Sequence, residues 1–484
     1  MEREVEPGVF HAVEGPVRSY RRQVDVSPRA DGRFDVTTST EFRLGVPYVG
    51  WVFLLPVRAV LRRPPGAPGA PQPWWAPPER LDARGASVLG VLAAASVVSG
   101  YLGTLITQTI TFAADEFGDV GDRAQSTALA ALRPGVLLAL VLLVVADRRG
   151  RRRVLVLSAA GGCILAATGA LVPSLAWLTA SQLVARIGAT VLSELIVVFA
   201  AEEMPKGSRA YAVSVLGMSA ATGAGVCVMA LPLADIGPSA WRVLYVLPLL
   251  ALPLCRDIAR RLPESRRFLV RHRRVPFAGH GGRLVLLATS GFLLAMFATP
   301  ASQLQNEFLR DERGYSALAI SAFTLVTNTP GGIGVVVGGR LADVRGRRTV
   351  AAVAIVGGVA GTTAQFLTAG SVMWASSLVG AVIGGATLPA LVVYGPELFP
   401  TSLRGRANGL IRVSAVAGSG AGLLLAGELS DRLGSLGGAL RLLALGPAIV
   451  VVLVLVLYPE TANRELEDLN PEDPHLGRPG LPPT

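Results

Sequence analysis

A membrane protein of twelve spanning helices, built as two six-helix repeats behind a small N-terminal extension, is the fold class this sequence predicts. Three observations predict it. The 484 residues are 51% hydrophobic and only 16% charged, with mean hydropathy +0.50. That is too apolar for a soluble globular domain and too long for a single span. Second, the stretch Gly338-Gly339-Arg340-Leu341-Ala342-Asp343-Val344-Arg345-Gly346-Arg347-Arg348 has an earlier copy, Ala146-Asp147-Arg148-Arg149-Gly150-Arg151-Arg152. Asp343, Gly346 and Arg348 each stand 196 residues beyond Asp147, Gly150 and Arg152. Glu202-x-x-Pro205-x-x-x-Arg209 returns as Glu397-x-x-Pro400-x-x-x-Arg404, displaced by 195, and Pro263-Glu264-Ser265 as Pro459-Glu460-Thr461, displaced by 196. The period is far too long for a solenoid and suits a duplicated bundle whose halves are parallel repeats. Third, arginines crowd alternate turns.

Residues 1–63 form the extension. Tyr20 to Leu44 alternates polar and apolar residues around Pro28-Arg29-Ala30-Asp31-Gly32, which predicts a hairpin with an Asp-Gly turn. Pro47 to Leu61 is apolar and ends in Arg62-Arg63. It is shorter than the ~20 residues a span needs and predicts an amphipathic helix lying in the interface. Residues 64–84 are a Pro-rich linker, with Trp74-Trp75 suited to headgroup depth. Spans are expected near 86–112, 123–146, 153–172, 175–200, 210–234 and 240–256, within a first bundle at 85–256. After a central loop at 257–282, a second bundle at 283–460 holds spans near 283–308, 316–342, 349–368, 371–396, 407–428 and 436–458, and 461–484 is a tail.

Turns after even-numbered spans carry Arg148 to Arg153, Arg345 to Arg348, and Arg404 with Arg406, and the central loop adds Arg260, Arg261, Arg266, Arg267, Arg271, Arg273 and Arg274. Turns after odd-numbered spans are acidic or neutral, as at Asp115, Glu116, Asp119 and Asp122. The positive-inside rule then puts both termini in the cytoplasm and the chain in the cell membrane. The net charge of +11 is on this reading a topology signal rather than a nucleic-acid one. Cys163, Cys227 and Cys255 lie in apolar runs without C-x-x-C spacing and read as small buried hydrophobes. Four scattered histidines offer no metal-ligand pair. No cofactor motif, catalytic constellation or cleavable signal is expected. With no Gly-x-x-x-x-Gly-Lys-Ser/Thr loop, a gradient rather than a nucleotide is the expected energy source, and no enzyme activity is expected.

The turn at 339–348, the Pro-Glu-Ser at 263–265, the Glu-Leu-Phe-Pro-x-x-x-Arg at 397–404 and the Pro-Glu-Thr at 459–461 resemble the major facilitator superfamily, in its branch of sugar porters and metabolite:proton symporters. The resemblance covers about 85–465. It implies two six-helix bundles with alternating access to a site between them. Three positions depart from the pattern. Leu143 stands where the family prefers Gly, Gly100-Tyr101-Leu102-Gly103 lacks the Asp of many proton-coupled relatives, and the seventh span lacks the paired glutamines and Gly-x-Asn of sugar porters.

The gating set is Asp147, Gly150, Arg151 and Arg152 with Glu202 and Arg209, repeated as Gly339, Asp343, Gly346, Arg347 and Arg348 with Glu397 and Arg404. The resemblance implies that each Asp faces a helix N-terminus of the opposite half, where the dipole favours an anion. The Arg runs also fit a purely topological role. Deeper in, Tyr101, Thr104, Thr107, Gln108 and Thr111 share one helical face, and Thr299, Ser302, Gln303 and Asn306 lie 195 beyond the last four of these. With Asn328 they are candidate walls of a substrate cavity, although Ser and Thr are also ordinary packing residues between membrane helices. Charges inside a bilayer cost roughly 2.5 to 3.5 kcal/mol each and read as functional. Arg133, Arg186 and Glu194 are such charges. The second half has Thr329, Ala381 and Ala390 at or near the matching positions, so ion chemistry is expected in the first half alone. At ~1.5 Å per residue Arg133 lies about 21 Å beyond Asp147. Arg133 or Arg186 is expected to hold a substrate carboxylate or phosphate, and Glu194 to carry a coupled proton. An Arg–Glu pair that only ties helices together is the alternative. The expected protein is a monomeric secondary transporter in the lipid bilayer, moving a small organic solute, an anionic one where Arg133 or Arg186 holds it, together with protons. Drug/proton efflux antiport is a second reading. A non-transporting sensor that signals through the extension is a third, of another class.

Overall fold

The computed structural model describes residues 2–461 apart from 14, 30–32, 49, 63–76, 78–80, 119–121, 205–207, 265–278, 393 and 400–402. The expected hairpin is larger than the alternation suggested. It is a four-stranded antiparallel sheet in the order β1 Glu2–Glu6, β2 Val9–Ala12, β3 Val17–Pro28 and β4 Phe34–Leu44. The Ala30-Asp31-Gly32 turn lies outside the described residues, as do Trp74 and Trp75. The interfacial helix is reduced to a 3-10 turn at Gly50–Phe53 and one eight-residue helix, Leu54–Leu61. Pro47 sits on the first span where only glycine fits, since a Cβ on Gly90 would meet it at 2.6 Å. Tyr48 donates its hydroxyl hydrogen bond to Asp257 at the end of the sixth span, and Arg261 stacks over the Tyr48 ring at 6.0 Å.

The spans are α1 Ala83–Phe117, α2 Asp122–Ala131 continuing as Arg133–Arg149, α3 Arg151–Ala167, α4 Leu175–Glu203, α5 Arg209–Ala230 and α6 Leu252–Arg261 with its preceding pieces. The second half gives α7 Gly281–Gln303, α8 Ala317–Asn328 continuing as Gly331–Arg345, α9 Arg347–Leu367, α10 Gly370–Gly385, α11 Arg404–Leu433, and α12 Leu436–Leu443 continuing as Leu445–Val456. Among the described residues 11 helices are long and apolar enough to cross a membrane. The sixth expected span is the exception. It runs as Arg242–Val246, a 3-10 stretch Leu247–Ala251 and Leu252–Arg261, because Pro248 and Pro253 each remove a donor from the helical ladder. Helix starts follow the side chains. Asp82 accepts from Gly85 N at 2.6 Å, and Ser316 and Ser435 cap α8 and α12 in the same way.

The repeat is visible in packing as well as in motif. A Cβ on Gly223 of α5 would lie 1.9 Å from the Val97 carbonyl oxygen of α1, and one on Gly418 of α11 would lie 2.2 Å from the Phe292 carbonyl of α7. Both members of each pair are offset by 195. Gly188 against Gly162, between α4 and α3, is matched by Gly384 against Gly358, offset by 196. Small residues here let helix backbones approach closely where lipid supplies no hydrophobic drive. Large apolar side chains instead cover the outer surface, as at Leu171, Trp177, Leu250 and Val456.

Candidate functional site

The end of the bundle that carries the Arg-rich turns is held by carboxylates. Glu264 accepts the backbone N–H of Arg152 at 3.1 Å, at the start of α3. Its counterpart Glu460 accepts from Arg347 N at 2.9 Å and Arg348 N at 3.2 Å, at the start of α9. Gly150 and Gly346 enter these helices at φ of 101° and 95°, a left-handed conformation that glycine adopts without strain. A Cβ at either position would also crowd the capping carboxylate, at 3.1 and 2.8 Å. Arg347 further donates to Thr461 Oγ1 at 2.9 Å, and the Arg152 and Arg348 guanidinium groups bond to the carbonyls of Ala259 and Leu455. Each Pro-Glu-Ser/Thr glutamate therefore seats its carboxylate on the positive end of a helix of its own half. The side chains of Asp147, Glu202, Arg209, Asp343, Glu397 and Arg404, and the surroundings of Gly339, lie outside the described residues. Arg151 also has a partner.

At the opposite end the two halves are tied together. Asn306 donates to the Gln108 carbonyl and Oε1 at 3.1 and 3.0 Å. Arg310 pairs with Asp115 at 2.5 Å and Arg123 with Glu428 at 3.2 Å. Asp235 accepts from the first two N–H groups of α8, at 2.9 and 3.0 Å. Within each half, Glu116 binds Arg242 at 3.0 Å where α6 begins, and Glu312, 196 residues on, accepts Leu436 N at 2.9 Å where α12 begins.

Between these ends Thr107, Arg133, Arg186 and Gln303 close on one gap, with Ile106, Leu129 and Leu132 around it, too narrow to admit water. Arg186 donates to the Gly103 carbonyl at 2.8 Å. Arg133 has no such partner. Its Nε and one terminal nitrogen are buried and without a hydrogen bond among the described residues, and its stem lies against Gly420 of α11. Two guanidinium groups and a Gln amide thus meet where the halves join.

Other expected wall residues separate from this gap. Tyr101 is buried and donates to the Leu244 carbonyl at 2.8 Å, so it faces α6 within the first half. Gln108 and Asn306 bond to each other across the halves. Thr104 and Thr299 are half-buried, and the Thr299 carbonyl accepts from Ser302 at 3.0 Å. Asn328 and Ser302 line a different space, a 410 Å³ cavity within the second half, where Gln305, Thr362, Gln365 and Ser377 supply polar groups and none of the lining residues is charged.

The expectation that membrane charge belongs to the first half alone is corrected by Arg412 of α11, which forms an ion pair with Glu194. Nothing at the offset partner of Arg412 signalled this contact, since position 217 is glycine. Arg310, Asp235 and Glu312 were also not foreseen. The repeat spacing of Glu264 and Glu460 marks them as a pair but gives them no role.

A family profile described as Sugar (and other) transporter matches residues 93–279, and one described as Major Facilitator Superfamily matches residues 284–477. Each falls on one repeat. The chain belongs to the major facilitator superfamily. In fold it is similar to the inward-open xylose transporter XylE from E. coli, at 16% identity and TM-score 0.67, covering 79% of this chain and 98% of that one. A D-xylose-proton symporter matches at 16% identity and TM-score 0.67, over 78% and 99%, and the nucleoside transporter NupG at 10% and 0.64, over 77% and 100%. No curated protein sequence matches the chain. As a member of this superfamily the chain is a multi-pass membrane transporter rather than an enzyme, with the sugar-porter-like character its Pro-Glu-Ser and Pro-Glu-Thr motifs suggested.

Proposed function

We propose that this superfamily member is a proton-coupled secondary transporter of a small organic anion, working by alternating access in the cell membrane with both termini in the cytoplasm. Arg133 carries the reading. A buried guanidinium with two unpartnered nitrogens leaves donors that cost free energy until an acceptor arrives, and a carboxylate or phosphate on the solute supplies one in the fork geometry arginine favours. Arg186 adds a second positive charge to the same gap, and Gln303 a neutral contact from the other half. Binding there bridges the halves, as alternating access requires. Each chain holds a whole pathway and transports as a single unit. Glu194, paired with Arg412 across the halves, is the proton carrier in this proposal, because its protonation cancels that attraction.

The uncharged 410 Å³ cavity of the second half favours a second reading, in which the solute is neutral and rich in hydroxyls. Uptake into proteoliposomes separates the two. For an anionic solute, Arg133→Ala is expected to weaken binding by about 2–3 kcal/mol, roughly 30- to 150-fold, while Gln365→Leu leaves it within about threefold. The reverse pattern would establish the neutral solute and remove Arg133 from the site.

A further inference from the structure

The two edges of the N-terminal sheet are unlike. β1, five residues long, is Glu-Arg-Glu-Val-Glu and breaks register between Glu4 and Glu6. Short, charged and bulged, it has the features that keep an edge from pairing with another chain. β4 is longer, and its charges, Asp35, Glu41 and Arg43, lie toward its ends. It runs unbroken from Phe34 to Leu44, pairs with β3 in steady register from Phe34 to Arg43, holds no proline, and carries no charge from Val36 to Thr40. Beside this open edge Phe34, Val36 and Val26 stand 66%, 61% and 58% exposed.

We propose that two copies of this chain join edge to edge through β4, antiparallel, with Ser39 on the two-fold axis. The β4 sequence, Phe-Asp-Val-Thr-Thr-Ser-Thr-Glu-Phe-Arg-Leu, is self-complementary about Ser39. Asp35 then lies opposite Arg43 of the second copy, Val36 opposite Phe42, Phe34 opposite Leu44, and Thr38 opposite Thr40. Opposite charges and matched apolar residues across a strand pair are what stabilise a sheet. Even-numbered residues meet even-numbered ones, so the apolar face bearing Tyr20, Val24, Val26, Val36 and Phe42 continues from one copy into the next, as register rules demand. Sliding by one two-residue step toward the strand start sets Asp35 against Glu41, two like charges. Sliding the other way leaves Asp35 and Arg43 without opposing charges and shortens the ladder. One register is therefore preferred over its neighbours. The intrachain contact that Asp35 makes with Arg29 is 3.4 Å long and highly exposed, so it offers weak competition. The pairing surface lies outside the transport path, so the proposal stands independently of the solute and of the proton carrier.

The test is disulfide trapping in the full-length protein in nanodiscs or detergent. The three native cysteines are buried, which leaves an introduced cysteine as the exposed thiol. Ser39→Cys is expected to cross-link rapidly to a dimer, because directly opposed residues have Cα atoms about 4.5–5.5 Å apart, within disulfide reach. Thr37→Cys, which opposes Glu41 rather than itself, is expected to cross-link at least about tenfold more slowly. Adding Arg43→Glu to Ser39→Cys opposes two carboxylates and is expected to lower cross-linking by a similar factor. Further adding Asp35→Arg restores it, which separates lost pairing from a lost fold. A Ser39→Cys protein that stays monomeric under oxidant overturns the proposal, and so does equal cross-linking at 37 and 39. Insensitivity to Arg43→Glu, or a charge swap that fails to restore the dimer, counts against it equally.

Discussion

In the first half α5 lays Gly223 over a carbonyl of α1, and in the second α11 lays Gly418 over the matching carbonyl of α7. Glu264 caps α3 and Glu460 caps α9. Glu116 and Glu312 hold the starts of the sixth and last spans. The interior does not follow. Where the first half has Arg133 and Arg186, the second has Thr329 and, near the position matching Arg186, Ala381, beside a cavity lined without charge. Packing glycines and helix caps have kept the duplicated plan, and interior side chains have left it. The glycines and glutamates repeated at 195 or 196 thus mark the shell, whereas Arg133 and Arg186, the proposed solute ligands, have no charged repeat partner.

The largest effect should come from an unrepeated residue. Glu194→Gln is expected to abolish accumulation driven by an imposed pH difference while sparing exchange across the membrane, measured in the same proteoliposomes. Continued accumulation would move Glu194 into the structural shell. Next come the crossings. Gly223→Val and Gly418→Val are each expected to cost about 2–3 kcal/mol by overpacking, with similar shifts in the thermal unfolding midpoint. A large shift in one alone would break the equivalence of the halves. Glu264→Gln and Glu460→Gln are expected to cost about 1 kcal/mol each, again as a matched pair, read by thermal unfolding. Smallest is the dock of the extension. Burial, and then the bond to Asp257, push the Tyr48 hydroxyl up to about 12 from its ordinary 10.0. The folded state thus favours the neutral phenol. The contribution is complete below about pH 10 and is lost as pH rises toward 12. Tyr48→Phe should release the sheet about twofold faster to limited proteolysis at neutral pH and remove that alkaline dependence.

Much of the shell is legible in the sequence. Twelve spans, their order and the motif offset follow from apolar run length and from residues that recur in register, signals carried by many positions at once. The break in the sixth span, expected as one helix near 240–256, escaped because Pro248 and Pro253 interrupt a helix without lowering hydropathy. β1 and β2 escaped because Glu-Arg-Glu-Val-Glu has little alternation and gains its strand from a neighbour. The Glu194–Arg412 pair joins residues 218 apart, and nothing local reports such a distance. The polar stripe splits because Tyr101 and Thr107, six residues apart, stand about 120° from each other around α1, so Tyr101 meets α6 and Thr107 the gap.

The dock of the extension also sets a schedule for biosynthesis. Tyr48 leaves the ribosome early, but its partner Asp257 lies 209 residues later in the chain. At about 5–20 residues per second that interval is roughly 10–40 s. Throughout it five spans enter the bilayer while Tyr48 lacks its partner, and Pro47 has only the first span, at Gly90, to rest on. A chaperone or the insertion machinery itself has that window in which to meet the open β4 edge, before the sixth span arrives and Tyr48 finds its place.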